Sequence, residues 1–360
     1  NPSTNLLRLT LGGVTKESFD IERLSVDATT GSDAITLDNI NGNASGLTSI
    51  ELQLGGGGLD VVNVLGSGGA DSFTIGTHAA VSTGTRTFVT LAGSIGYTVY
   101  IAGGVRAQGD QLVVRGMAGN DTIDASAVTA DQLALILDGD NAATTDTTGD
   151  GNDRLIGSRF DDVFFLGGGD DTVTGGLGRD TFDDDGGTNT LIESFEGVDF
   201  GLYDDVFIVG IVTGLDFAAG AVVEALDDQF AFVRLTSTGD RATTILVGDV
   251  NGRVKVGTLT FEVDPWTRTA YLDPGPGNDL VRIELTGSTG MAVHIQGSAG
   301  TTDRVVVQGT TAPDDLILDV VASPPTDTYA NRIRRVSFAT GPMLTLGTIT
   351  YGGVELVEIN

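Results

Sequence analysis

Residues 148–183 read TGDGNDRLI (148–156), GSRFDDVFF (157–165), LGGGDDTVT (166–174) and GGLGRDTFD (175–183), four consecutive units of nine. The sixth position is always Asp (Asp153, Asp162, Asp171, Asp180) and the eighth is always large and apolar (Leu155, Phe164, Val173, Phe182). Gly fills the fourth position in three units, at Gly151, Gly169 and Gly178. An apolar residue once in nine positions, behind a Gly/Asp-rich run, argues against a plain polar loop. The first six residues turn the chain, because Gly reaches left-handed conformations that a Cβ disfavours. The last three form a short strand whose eighth residue points inward.

Outside this block the same template recurs singly. Copies run over 55–63 (Asp60), 66–74 (Asp71, Phe73), 116–124 (Asp121, Ile123) and 274–282 (Asp279, Val281). Weaker copies surround Asp33, Asp110, Asp303 and Asp315. A longer period lies on top: Asp60 to Asp110 and Asp71 to Asp121 are both 50 residues. A third pattern places an aromatic residue shortly before an aliphatic residue and an acid: Phe19 to Glu22, Phe195 to Asp199 and Tyr351 to Glu355. Short alternating runs dominate elsewhere, such as Ile50 to Leu54 and Tyr97 to Ile101, bounded by Gly, Asp or Asn. The best helix candidate is Val128 to Leu137, although Leu133, Leu135 and Leu137 alternate as in a strand.

The expected fold class is therefore all-β, with parallel β-roll or β-solenoid coils and a β-sandwich-like insert as an open option. Four segments are expected: 1–147 as a solenoid with degenerate Gly/Asp repeats, 148–200 as the regular repeat block, 201–268 as a β-rich stretch without nonapeptides, and 269–360 as a second degenerate repeat region. The 201–268 stretch alternates well and reads either as a sandwich insert or as coils without metal. The start at Asn1-Pro2, and the stop at Asn360 where a Gly/Asp turn should follow, lead to the expectation of a piece cut from a longer array.

Composition narrows the chemistry. The net charge is -30, Lys is confined to Lys16 and Lys255, and Cys is absent. Such an acidic chain is repelled by nucleic acid and anionic membranes, and attracts hard cations that prefer oxygen. Zinc-thiolate sites, iron–sulfur clusters, disulfides and thiol nucleophiles are excluded. Gly, at 53 residues, is about twice ordinary usage. No stretch is apolar enough for a membrane-spanning helix, so membrane insertion is not expected. His78 and His294 read as surface or strand residues. Ala92 to Gly96 lacks the first Gly of a hydrolase elbow, and no HExxH motif is present. No enzyme activity is expected within these residues.

The template G-G-x-G-x-D-x-U-x, with U a large apolar residue, is an established calcium-binding repeat pattern. Two nonads make one turn of a flattened roll, so units 18 residues apart stack about 4.8 Å apart. Asp153 then stacks on Asp171, and Asp162 on Asp180. Two such carboxylates repel by roughly 1–3 kcal/mol, and Ca²⁺ between them turns repulsion into attraction.

The 148–183 block resembles the RTX (repeats-in-toxin) family of secreted Gram-negative bacterial proteins. The resemblance implies a calcium-filled parallel β-roll and type I export. It carries over Asp153, Asp162, Asp171 and Asp180 as ligands, with turn carbonyls near Gly149, Gly151, Gly167, Gly169, Gly176 and Gly178. The second unit departs from the pattern, with Ser158, Arg159 and Phe160 in place of small turn residues. Asp60, Asp71, Asp110, Asp121 and Asp279 are further candidate ligands, the alternative being turn aspartates that cap backbone amides. The scattered copies and the spacings of 11 and 50 resemble large adhesins, surface-layer or filament proteins. The expected partners are further copies of the same array and a cell-surface glycan, and the expected location is extracellular. A secretion, folding or carbohydrate-binding module of a larger RTX enzyme or toxin is the alternative.

Overall fold

The computed structural model describes residues 7–11, 14–18, 23–37, 48–80, 84–92, 98–141, 150–203, 206–213, 216–226, 230–238, 241–248, 253–262, 269–284, 291–296, 303–308, 315–320, 331–337, 344–352 and 356–359. The chain divides into two compact units, Asn1–Asn189 and Thr190–Asn360.

The first unit opens with the antiparallel pair β1 (Leu7–Leu11) and β2 (Val14–Ser18). The chain then shuttles between two sheets through β3 (Arg23–Asp27), β4 (Ala34–Leu37), β5 (Ser49–Gln53) and β6 (Val61–Leu65). A meander of β7 (Ser72–Ala80), β8 (Gly84–Ala92) and β9 (Thr98–Ala102) follows. Shuttling resumes with β10 (Gln111–Arg115), β11 (Thr122–Ala127), β12 (Ala134–Asp138) and β13 (Arg154–Ile156). It ends with β14 (Asp162–Phe165), β15 (Thr172–Thr174) and β16 (Thr181–Asp183). One sheet runs β4-β6-β10-β12-β14-β16, all parallel. The other runs β3-β5-β9-β8-β7-β11-β13-β15, parallel except around β8.

Alternation sets the core. Every second strand residue points inward, and the inward residues stack in columns along the coils. Val64, Val114, Leu137, Phe164 and Phe182 are in register on one sheet, and Phe73, Ile123, Leu155 and Val173 on the other. All are buried. The Phe164 and Phe182 rings stack with centroids 5.2 Å apart. The eighth position of each nonapeptide is thus the core position, and a fully buried Phe or Leu contributes about 1.5–3 kcal/mol.

The register explains both spacings seen in the sequence. Leu155 pairs with Val173 and Phe164 with Phe182, each 18 residues on. Val62 pairs with Leu112 and Phe73 with Ile123, each 50 residues on. The longer period is one coil enlarged by two strands, because the β7-β8-β9 meander stands where an ordinary coil has a single strand. β11 pairs directly with β13, so the coils on either side of residues 142–149 share a sheet.

The best helix candidate of the sequence, Val128 to Leu137, does not form a helix. Ala134–Asp138 is β12, with Leu135 and Leu137 buried on the core side. The alternating leucines prevail because a coil strand buries one face whatever the helix propensity of its residues. Among the described residues the only helical element is the single 3-10 turn Arg106–Gln108.

The second unit contains β17 (Thr190–Phe195), β18 (Asp199–Leu202), β19 (Val206–Gly210), β20 (Val212–Thr213), β21 (Asp216–Phe217) and β22 (Val222–Ala225). It continues with β23 (Phe232–Ser237), β24 (Thr244–Gly248), β25 (Arg253–Val256), β26 (Leu259–Glu262), β27 (Thr269–Asp273) and β28 (Leu280–Glu284). It closes with β29 (Met291–Gln296), β30 (Arg304–Gln308), β31 (Asp315–Val320), β32 (Asn331–Ser337), β33 (Leu344–Gly352) and β34 (Leu356–Ile359). Parallel ladders β17-β23-β27-β29-β33 and β18-β24-β28-β30-β34 repeat the coil logic.

The described residues of 201–268 carry strands of two kinds. β23 and β24 are coil strands, whereas β20, β21, β25 and β26 form a separate four-stranded sheet. Tyr203, Val206, Ile208, Phe217, Leu246 and Val256 make a core of their own there.

Candidate metal centre

Turns that carry the chain from the β4–β16 sheet to its partner form the first edge of unit one. Their sixth-position residues make a continuous ladder. The Asp71 N–H donates to Asp121 Oδ1 (2.6 Å), and the Asp121 N–H to Asp153 Oδ1 (2.7 Å). The Asp153 N–H donates to Asp171 Oδ1 (2.7 Å), and the Asp171 N–H to Asn189 Oδ1 (2.8 Å). The stacking of Asp153 on Asp171 follows from their separation by one full coil. Each carboxylate therefore spends one oxygen on the amide of the preceding coil.

The other oxygen is what marks the site. Oδ2 of Asp121, Asp153 and Asp171 is buried and has no hydrogen-bond donor. These residues are only 1%, 3% and 1% exposed. A buried carboxylate oxygen without a donor is costly unless the group is neutralised or meets a cation. Burial pushes the Asp121 carboxyl up to about 8, against the Asp71 N–H that lowers it, and the Asp153 charge adds to the rise. Burial likewise raises Asp153 and Asp171 to about 7 each, with neighbouring aspartates contributing.

Glycines open the space beside these oxygens. A Cβ at Gly139 would collide with Asp153 Oδ2 and press on the Leu166 carbonyl. One at Gly116 would collide with Asp121 Oδ2 and the Gly139 carbonyl. The cradle is lined by a carboxylate oxygen and a carbonyl oxygen of the neighbouring coil, the donor set of a hard cation. Among the described residues no three acids or histidines converge by themselves, so carbonyls must complete any coordination. These cradles lie at the first turn position, which sequence reasoning did not single out.

The glycines named from the sequence shape the same turns. Gly167 and Gly176 have φ of 86° and 96°, and Gly169 and Gly178 have φ of 122° and 124°. The repeated left-handed values fix one turn geometry in both units. The Gly119 carbonyl lies against Gly151, and the Gly151 carbonyl against Gly169, too close for any side chain. Gly149 lies outside the described residues.

Asp140 belongs to the site and was missed. It is buried and accepts the Gly151 N–H (3.3 Å) and the Gly168 N–H (3.1 Å), tying its turn to the next. Burial raises it to about 6, partly offset by the Gly168 N–H. Asp140 precedes Asp153 by 13 residues in the sequence, which takes it out of the nine-residue register.

The opposite edge is different. The Asp33 N–H donates to Asp60 Oδ1 (2.8 Å) and the Asp60 N–H to Asp110 Oδ1 (2.9 Å). Asp110 Oδ2 accepts the Val105 N–H (2.7 Å), so both its oxygens have donors. Asp71, on the first edge, resembles it: the Ser67 N–H (2.5 Å) and hydroxyl (2.9 Å) occupy Oδ2. The opposite ladder then breaks, because Leu133 precedes Ala134, whose N–H reaches the Asp110 carbonyl. It restarts where the Asp162 N–H donates to Asp180 Oδ1 (2.9 Å). Asp162 keeps Oδ1 buried without a donor, while Oδ2 accepts the Ser158 N–H (2.6 Å). Burial raises Asp162 to about 6, and the Ser158 bonds and the Arg106 charge pull it back.

Unit two holds a shorter ladder. The Thr243 N–H donates to Asp279 Oδ1 (2.7 Å), and the Asp279 N–H to Asp303 Oδ1 (3.1 Å). Asp279 Oδ2 is buried without a donor, and burial raises this carboxyl to about 6.

A family model describing the RTX calcium-binding nonapeptide repeat matches the chain in four copies, over residues 113–127 and 147–182. Asp121, Asp153, Asp162, Asp171 and Asp180 lie within the segments that match this repeat. No curated protein and no solved structure matches the chain. Among the described residues no helix is long and apolar enough to cross a membrane.

Proposed function

We propose that the chain is a calcium-stabilised structural segment of a secreted, cell-surface or filament-forming bacterial repeat protein, and that it performs no catalysis. Calcium sits along the first edge, between Asp121, Asp153 and Asp171, with further sites at Asp162–Asp180 and Asp279–Asp303. The observation that carries this is the ladder of Asp121, Asp153 and Asp171, each with one oxygen held by a backbone amide and the other buried without a donor. Metal-free and at a pH above the raised values of these carboxyls, the ladder stacks like charges in a dry environment, which opposes closure of the coils. With calcium the same oxygens become ligands, so binding and coil formation are one equilibrium. Extracellular sites of this kind work near 10⁻⁴–10⁻³ M calcium. Coil ends expose unpaired strand edges that further coils can cover, which suits assembly with copies of the same array.

The test is a calcium titration of chelated protein followed in parallel by far-UV circular dichroism and light scattering. A cooperative gain of β signal near millimolar calcium with particle growth is expected. A gain without growth would remove assembly from the proposal and favour a module of a larger secreted protein. An unchanged β signal after full chelation would remove the coupling of calcium to folding.

A further inference from the structure

The nonapeptide geometry runs one turn beyond the four units visible in the sequence. Residues 184–189, DDGGTN, follow the path of residues 166–171. The Asp185 N–H donates to the Gly167 carbonyl (3.0 Å), and the Gly169 N–H to the Gly186 carbonyl (3.2 Å). The Thr188 N–H donates to Asp170 Oδ1 (2.9 Å), matching the bond from the Asp170 N–H to Asn152 Oδ1 (3.0 Å) one coil earlier. Gly186 and Gly187 keep positive φ, at 146° and 128°. The backbone of this turn is that of a calcium turn, and its sixth residue is Asn189 instead of Asp.

That residue is 1% exposed. Its Oδ1 accepts the Asp171 N–H at 2.8 Å, as each ladder carboxylate does for the coil before it. Its Nδ2 is buried with no hydrogen-bond acceptor. The amide cannot be turned over, because Nδ2 would then meet the Asp171 N–H donor to donor. Two N–H hydrogens are therefore held where the other members of the ladder present a carboxylate oxygen. A donor repels a cation and contributes no ligand.

We propose that Asn189 is the stop of the first-edge cation column. It keeps the ladder's backbone bond while cancelling the step between coil 166–171 and coil 184–189 as a calcium site. A single exchange of Nδ2 for oxygen, Asn189→Asp, opens that step to Ca²⁺. Ending the column in a neutral residue also spares Asp171 a second stacked charge when calcium is low. The inference rests on the calcium function proposed above.

The experiment measures bound calcium per chain by equilibrium dialysis with radioactive calcium, and melting temperature in calcium and in chelator. Native protein, Asn189→Asp and Asn189→Ala are compared. Asn189→Asp is expected to bind one more calcium than native, to melt higher in calcium and to melt lower in chelator. Asn189→Ala is expected to bind the native number, because the amide is no ligand. If native protein binds calcium but Asn189→Asp adds none, or Asn189→Ala loses one, the stop is overturned. If Asn189→Asp does not fold, the Asn189→Ala count decides alone. A native protein that binds no calcium would instead overturn the calcium function itself.

Discussion

Calcium binding should displace protons from the first-edge ladder. Burial holds Asp121 at about 8, and Asp153 and Asp171 at about 7. At pH 6 these three carboxyls together carry close to three protons in the metal-free fold, and at pH 9 only ~0.1. Ca²⁺ needs them ionised, so loading at pH 6 releases about three protons per chain from this edge, and loading at pH 9 almost none. Apparent affinity should rise about tenfold per pH unit for each proton displaced, until pH passes the folded values. The sign for the metal-free fold is opposite. Its folded values lie above the unfolded value of 3.8, so the native chain holds more protons than the unfolded one. The contribution of these three carboxyls to the stability of chelated protein is therefore full below about pH 4 and is lost as pH rises through 7 to 8. Isothermal titration calorimetry at pH 6, in two buffers of different ionisation enthalpy, reads the released protons directly. Equal binding enthalpies in both buffers would refute the burial argument.

Three further outcomes follow from named contacts. Phe164→Ala removes a buried ring stacked on Phe182, and should cost about 3–5 kcal/mol in a urea titration with calcium present. Asp110→Asn should leave calcium stoichiometry unchanged, because both Asp110 oxygens already accept backbone N–H groups. It should lower stability by about 1 kcal/mol through one lost acceptor, whereas Asp153→Asn should lose a calcium. Gly139→Ala places a methyl group in the cradle beside Asp153 Oδ2. It should weaken calcium binding at that step more than tenfold, read by calorimetry, with the second unit unaffected.

The sequence made the coil register legible because three separate demands recur in one frame: Gly for the left-handed turn, Asp on the ladder, and an apolar eighth residue for the core. Leu155, Phe164, Val173 and Phe182 occupy the buried columns for that reason. The 50-residue spacing was legible as a number, but its cause was not. β7 and β8 alternate like coil strands, and nothing local states that β8 runs backwards. The same ambiguity hid the small sheet of β20, β21, β25 and β26, since alternation fixes a buried face and says nothing about which core receives it. Asp140 escaped because its sequence separation from Asp153 leaves the nine-residue frame. Asn189 escaped because a ladder sought by its carboxylates has no place for an amide. Asp110 and Asp121 look alike in sequence, yet they lie on opposite edges and the Val105 N–H fills the second oxygen of Asp110 while that of Asp121 has no donor.

The central claim is that buried aspartate oxygens without hydrogen-bond donors are the calcium ligands. Anomalous diffraction from crystals grown in calcium tests it atom by atom. Ions are expected on the first edge against Asp121, Asp153 and Asp171, with none coordinated by Asp110 and none between Asp171 and Asn189. Ions bound at Asp110, or a first edge empty at saturating calcium, would contradict it.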